Sequence, residues 1–207
     1  EVPPAGSEAA LERKQEVGFD EDHFVFGKIA RLFHLKGHTY CLRAFSTVAE
    51  SHPQARLMLV GNGILREELE EQARSLGIRD KIIFTGLVPY QKIPDMLGAM
   101  DTLVHTSLRE GLARVIPQAQ AAGRPVISYA IDGAPEAIDD GETGFLVPPE
   151  TIEPLAERME DLIEEPDLRK DMVEQARDWV QPRFQWRHMV SEIQSAYRDL
   201  TRTSPSS

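Results

Sequence analysis

The chain has a single cysteine, Cys41, in 207 residues, so no intramolecular disulfide can staple it. Its apolar helical setting marks Cys41 as a small buried hydrophobe rather than a nucleophile. That usage fits a reducing compartment, the cytoplasm. Long apolar runs are also absent: nothing approaches the roughly 20 residues that span a bilayer. The opening EVPPAGSEAALERKQEV lacks the apolar stretch of a signal peptide. Positive charge is in short supply, with 23 Lys and Arg against 34 Asp and Glu and a net charge of -11. Such a surface repels nucleic acid and anionic membranes, so an anionic ligand must find a local basic pocket. No Gly-Lys-Ser/Thr loop is present, which removes the commonest phosphate-cleaving reading. In VGNGILRE, Arg66 stands where a dinucleotide fingerprint wants its third glycine, so Gly61 and Gly63 read as a tight turn. His34 and His38 share no zinc-like spacing with other ligand types and read as solvated or capping. Glu136, Asp139, Asp140 and Glu142 lack the spacing of a calcium loop and read as a polar turn.

What is present is a regular alternation. HFVFGKIA (23–30), RLMLVG (56–61), KIIFTG (81–86), DTLVHT (101–106) and PVISYA (125–130) are strand-like, each separated from the next by an amphipathic helical run. The helical runs cover 37–52, 64–77, 91–100 and 114–123. Strands apolar on both faces imply a parallel sheet covered by helices, an α/β doubly wound, Rossmann-like sandwich. Helix APEAIDD, strand GFLVPP and three helices from Ile152 to about Leu200 follow. The aromatics Trp179, Phe184, Trp186 and Tyr197 are expected to pack on the sheet edge or on a neighbouring domain. Residues 1–20 read as a linker, 21–200 as the domain and 201–207 as a polar tail.

Ligands of open parallel sheets bind beyond the carboxyl ends of the strands. After the first strand, ARLFHLKG holds Arg31, His34, Lys36 and Gly37. Arg and Lys there could neutralise a diphosphate without a metal, and a solvated basic loop is the bland alternative. After the fourth strand, Glu110 and Gly111 fall where a helix is expected to begin, and unpaired amides at such a terminus favour phosphate oxygens. Glu110 could accept hydrogen bonds from sugar hydroxyls or merely complement the helix dipole. Gln118 lies eight residues on, about two turns along that helix.

The series GKIARLFHLKG, LMLVGNG, IIFTGLVP, LREGLARVIPQAQAAGRPVIS and IDGAPEAIDDGETGFLVPP resembles the C-terminal domain of retaining GT-B glycosyltransferases, group 1 or family GT4, over roughly residues 24–200. The resemblance implies a nucleotide-sugar-binding domain whose acceptor-binding N-terminal partner is missing. That partner would also make any peripheral membrane contact. By resemblance, Arg31 and Lys36 hold the donor diphosphate and Glu110 the donor sugar. The amides of Gly111, Leu112 and Ala113 form a phosphate-facing turn, and Gly61 and Leu87 border the base. Gln118 replaces the second acid of the Glu-x7-Glu motif, and Ala113-Arg114 depart from the usual turn. The implied donor is a nucleoside diphosphate sugar such as a UDP- or GDP-sugar, with no cofactor and no metal. The alternatives are a non-catalytic nucleotide-sugar-binding module, or a relative acting as phosphorylase or epimerase.

Overall fold

The computed structural model describes residues 2–202. Strands β1 (Phe24–Ile29), β2 (Ala55–Val60), β3 (Ile82–Gly86), β4 (Thr102–His105), β5 (Val126–Tyr129) and β6 (Phe145–Val147) form one sheet in the order β3-β2-β1-β4-β5-β6. Every neighbouring pair is parallel. Chain order runs outward from β1 in one direction and resumes at β4 in the other, so the topological switch lies between β1 and β4. The carboxyl ends of those two strands therefore frame a crevice between diverging crossovers.

Both faces of the sheet are buried, as near-continuous apolar strands require. Phe26, Leu57, Leu59, Val104 and Ile127 meet residues of α2 (His38–Ser51), α3 (Arg66–Ser75) and α7 (Glu153–Glu164). Val25, Met58, Leu103 and Val126 meet residues of α4 (Ile93–Gly98), α5 (Val115–Ala121) and α6 (Ala134–Ala137). Each fully buried aliphatic or aromatic side chain contributes about 1.5–3 kcal/mol. Gly27 is required by packing, because a Cβ there would lie 2.0 Å from Met100 Sδ.

The amino-terminal segment does more than the linker expected of residues 1–20. Ser7 caps α1 (Glu8–Val17) by accepting from the Ala10 amide, as N-cap serines do. Lys14 is buried, and its ammonium donates to Asp101 Oδ1 at 2.9 Å and to the His23 carbonyl at 3.0 Å. Asp101 also accepts from the Val25 amide at 2.7 Å, so α1 is tied to the starts of both central strands. Buried Arg124 reaches the Pro3 carbonyl at 2.8 Å.

At the other end, α8 (Pro166–Phe184) packs along α5 and α7, and α9 (Trp186–Arg202) packs on α8. Of the expected packing aromatics, Phe184 joins the core beside α5 and Trp179 stacks with Arg183 at 3.6 Å. Tyr197 stays exposed with Met189, Val190 and Ile193 along α9, and the Trp186 side chain lies outside the described residues. The polar tail overlaps α9 at 201–202, and 203–207 lie outside the described residues. No described helix is long and apolar enough to cross a membrane.

Two helices are shorter than their sequence pattern. APEAIDD yields only Ala134–Ala137, since the Asp139 carbonyl and the Asp140 carboxylate turn to the amides of Glu142, Thr143 and Leu146. The helix expected at 114–123 begins at Val115. Glu110 and Gly111 therefore lie in the loop before it, and Gln118 falls in its first turn rather than two turns along.

Candidate functional site

The loop after β1 folds back as a single 3₁₀ turn, His34–Lys36, closed by Gly37 in the left-handed region at φ 60°. A Cβ on Gly37 would lie 1.9 Å from the Thr106 carbonyl oxygen, so this glycine lets the loop lie against the end of β4. Thr106 Oγ1 donates to the Gly37 carbonyl at 2.8 Å and accepts from Lys28 Nζ at 2.8 Å. His38, the first residue of α2, is buried and its Nε2 bonds the Arg31 carbonyl at 2.9 Å. The expectation of a solvated or capping histidine thus fits exposed His34 but not His38, which anchors the Arg31 backbone from within.

Between this loop and the one following β4 lies a cavity of about 320 Å³ whose lining includes Arg31, Lys36, His105, Glu110, Ala113 and Arg114. Lys36 Nζ is ion-paired with Glu110 Oε2. Arg31 and Arg114 are exposed and have no carboxylate partner among the described residues. Three cations against one carboxylate is a strongly positive patch on a chain of net charge -11.

The 109–114 loop adds a second kind of anion ligand. The Glu110 amide donates to Asp132 Oδ2 at 2.7 Å, with Asp132 itself at φ 43°. The amides of Gly111, Leu112 and Ala113 have no acceptor among the described residues. A Cβ at Gly111 would meet nothing within 4 Å, so the space beside it is open.

Of the remaining expected contacts, Gly61 packs on the loop after β1: a Cβ there would lie 2.0 Å from the Ala30 carbonyl. Leu87 is 83% exposed on the loop after β3. Gln118 is not among the residues lining the 320 Å³ cavity. It borders apolar grooves on either side of α5, one of about 590 Å³ with Tyr90 and Ile93, the other with Leu112 and Phe184. The first of these grooves has no charged residue in its lining, whereas the 320 Å³ cavity brings three cations and a carboxylate together at the carboxyl ends of β1 and β4.

Sequence reasoning did not single out Lys28, Thr106, His105 or Asp132. Lys28 is wholly buried, and burial pulls its ammonium down to about 8. His105 is buried at the end of β4, and burial, aided by Lys28 and Lys36, pulls its imidazole down to about 3. Two lone polar residues in otherwise apolar strands were the available signal. Among the described residues, the one group of carboxylates and histidine close enough to share a cation is Asp20, Asp22 and His23. It precedes β1, at the opposite end of the sheet from the cavity, and His23 Nδ1 already accepts from the Asp20 amide.

The family model described as "Glycosyl transferases group 1" matches residues 10–179. The D-inositol 3-phosphate glycosyltransferase of Corynebacterium kroppenstedtii is 32% identical over 97% of this chain and 46% of its own length. The alpha-D-kanosaminyltransferase of Streptomyces kanamyceticus is 26% identical over 91% of this chain and 49% of its own. This chain thus spans about half the length of the curated relatives it matches. Among solved structures, Anabaena HepE in complex with UDP superposes with a TM-score of 0.87 at 26% identity, covering 95% of this chain and 54% of that one.

Proposed function

Since the chain belongs to the group 1 glycosyl transferases, we propose that it is the donor-binding domain of a retaining enzyme that transfers a sugar from a nucleoside diphosphate sugar to an acceptor hydroxyl. The observation that carries this reading is the cavity at the sheet's switch point, where Arg31, Lys36 and Arg114 converge on a single carboxylate, Glu110. The neighbouring HepE structures, which hold UDP and UDP-glucose, support a uridine diphosphate donor.

In this reading the diphosphate takes Lys36 from Glu110 and gains forked hydrogen bonds from Arg31. The free amides of Gly111, Leu112 and Ala113 supply further donors. Glu110, released, accepts from hydroxyls of the donor sugar. The acceptor oxygen attacks the anomeric carbon from the side of the leaving group. As that bond forms, the bond from the anomeric carbon to the diphosphate oxygen breaks, and the acceptor proton passes to the departing phosphate oxygen. The configuration at the anomeric carbon is retained. The fixed cations stabilise the charge that grows on the diphosphate, so the protein itself performs the task a metal would otherwise serve. The acceptor is oriented by the other half of the enzyme, for which the apolar face of α9 is an available surface, and we place the reaction in the cytoplasm.

The test is calorimetric titration of the chain with UDP, GDP and ADP and their sugar conjugates, with and without EDTA. One diphosphate should bind regardless of EDTA, and Arg31→Ala should weaken it by about tenfold or more, as loss of a charge-assisted contact would. Binding of none of the three, or binding indifferent to Arg31→Ala, would overturn the reading.

A further inference from the structure

His105 is 4% exposed and lines the cavity beside Arg31 and Lys36. Its Nε2 is fully buried and has no hydrogen-bond partner among the described residues. Its neighbours in β4, Leu103 and Val104, are fully buried and apolar. A leucine or valine would fill this position more cheaply than an imidazole whose hydrogen-bonding capacity is unused. Buried polar groups without partners are rare in folded proteins, and each calls for an explanation such as a water or a ligand.

The charges around the ring narrow the choice. Lys28 approaches from β1 and Lys36 from the loop after β1, and Glu110 lines the same cavity from the loop after β4. The only acid among them, Glu110, is turned to Lys36. Burial is the main cause that keeps the ring neutral, with the two lysine ammoniums adding to it. A neutral imidazole has one N–H to donate and one lone pair to accept. With cations on three sides of the cavity, an anionic oxygen is the acceptor such an N–H would meet.

We propose that His105 is a binding residue for the donor diphosphate, its ring N–H donating to a phosphate oxygen held between Arg31 and Lys36. This rests on the donor-binding reading above. His105 supplies direction where the lysine supplies charge: the ring is locked by the strand and by its burial, so it fixes one oxygen of a group that Lys36 would hold loosely. Lys28, wholly buried and bonded to Thr106, does not line the cavity but adds positive charge near the ring.

The experiment is calorimetric titration of the 207-residue chain with UDP, comparing wild type, His105→Leu and His105→Gln, with a thermal melt of each. His105→Leu is expected to melt no lower than wild type and to bind UDP about tenfold more weakly, the size of one hydrogen bond to a charged acceptor. His105→Gln, which keeps an N–H donor, is expected to recover most of that loss. A second measurement keeps the question open should His105→Leu fail to fold. In the wild-type chain with 15N-labelled histidine, the His105 imidazole resonance, assigned by its disappearance in His105→Gln, should move on saturation with UDP but not with uridine. A well-folded His105→Leu that binds UDP as wild type does, or a His105 resonance indifferent to saturating UDP, overturns the proposal and leaves the donor-binding reading standing. A wild-type chain that binds neither UDP, GDP nor ADP overturns both.

Discussion

Lys36 and Glu110, 74 positions apart in sequence, form an ion pair across the cavity, Nζ to Oε2. The cation proposed to hold the diphosphate is thus paired with the carboxylate proposed to hold the sugar. On the proposed reading, donor binding would exchange one partner of Lys36 for another.

Glu110→Gln should separate the two roles. With the competing carboxylate gone, UDP alone should bind more tightly by up to about fivefold, the worth of a modest partly exposed ion pair. Sugar transfer by the full-length enzyme should fall by tenfold or more on the order of one lost charge-assisted contact. Calorimetry with UDP and product analysis with the sugar conjugate check the two halves.

Lys28 is expected to cost stability in return for binding. Its folded ammonium gives up its proton at about 8 rather than at the ordinary 10.5, because burial disfavours the charged form. The unfolded chain thus holds more protons between those values, and stability should rise as pH increases from about 8 towards 10.5. Below 8 the full cost is present. Lys28→Met should therefore stabilise the domain at neutral pH by about 1–3 kcal/mol in urea melts, as replacing a buried charge by an apolar isostere often does. It should also weaken UDP binding.

Two buried rings should act in the same sense in a lower pH window. His38 and His105 are held neutral, down to about 3, chiefly by burial and further by the neighbouring lysines. The unfolded chain takes up protons near 6.5, so stability should be full above that value and decline as pH falls towards 3. By pH 5 each ring is expected to contribute about 1–2 kcal/mol of loss. Urea melts of His38→Gln and His105→Gln should each show a shallower decline over that range.

Gly37→Ala tests the seating of the loop after β1. The residue sits at φ 60°, and the new Cβ would fall 1.9 Å from the Thr106 carbonyl oxygen. Backbone must move to relieve that clash, carrying Lys36 with it. A loss of about 2 kcal/mol or more in stability is expected from the clash and the left-handed conformation together, with weaker UDP binding by calorimetry.

The sequence determined the α/β alternation, the parallel sheet and the loops that hold Arg31, Lys36, Glu110 and Gly111. These are local properties: hydrophobic period sets the type of element, and a residue just past a strand is bound to lie at one end of the sheet. Tertiary structure alone decided the rest. Lys28 meets Thr106 across 78 positions and Lys14 meets Asp101 across 87, pairings that arise because the switch in strand order lays β1 beside β4. His105 reads in sequence as a polar residue ending a short strand; only packing shows that it borders the cavity with an unpartnered Nε2. Gln118 depended on where α5 begins, a boundary that loop geometry sets and a periodic pattern does not mark. Burial, charge pairing and helix starts depend on what the rest of the chain brings alongside, and so they are written in the fold rather than in any one segment.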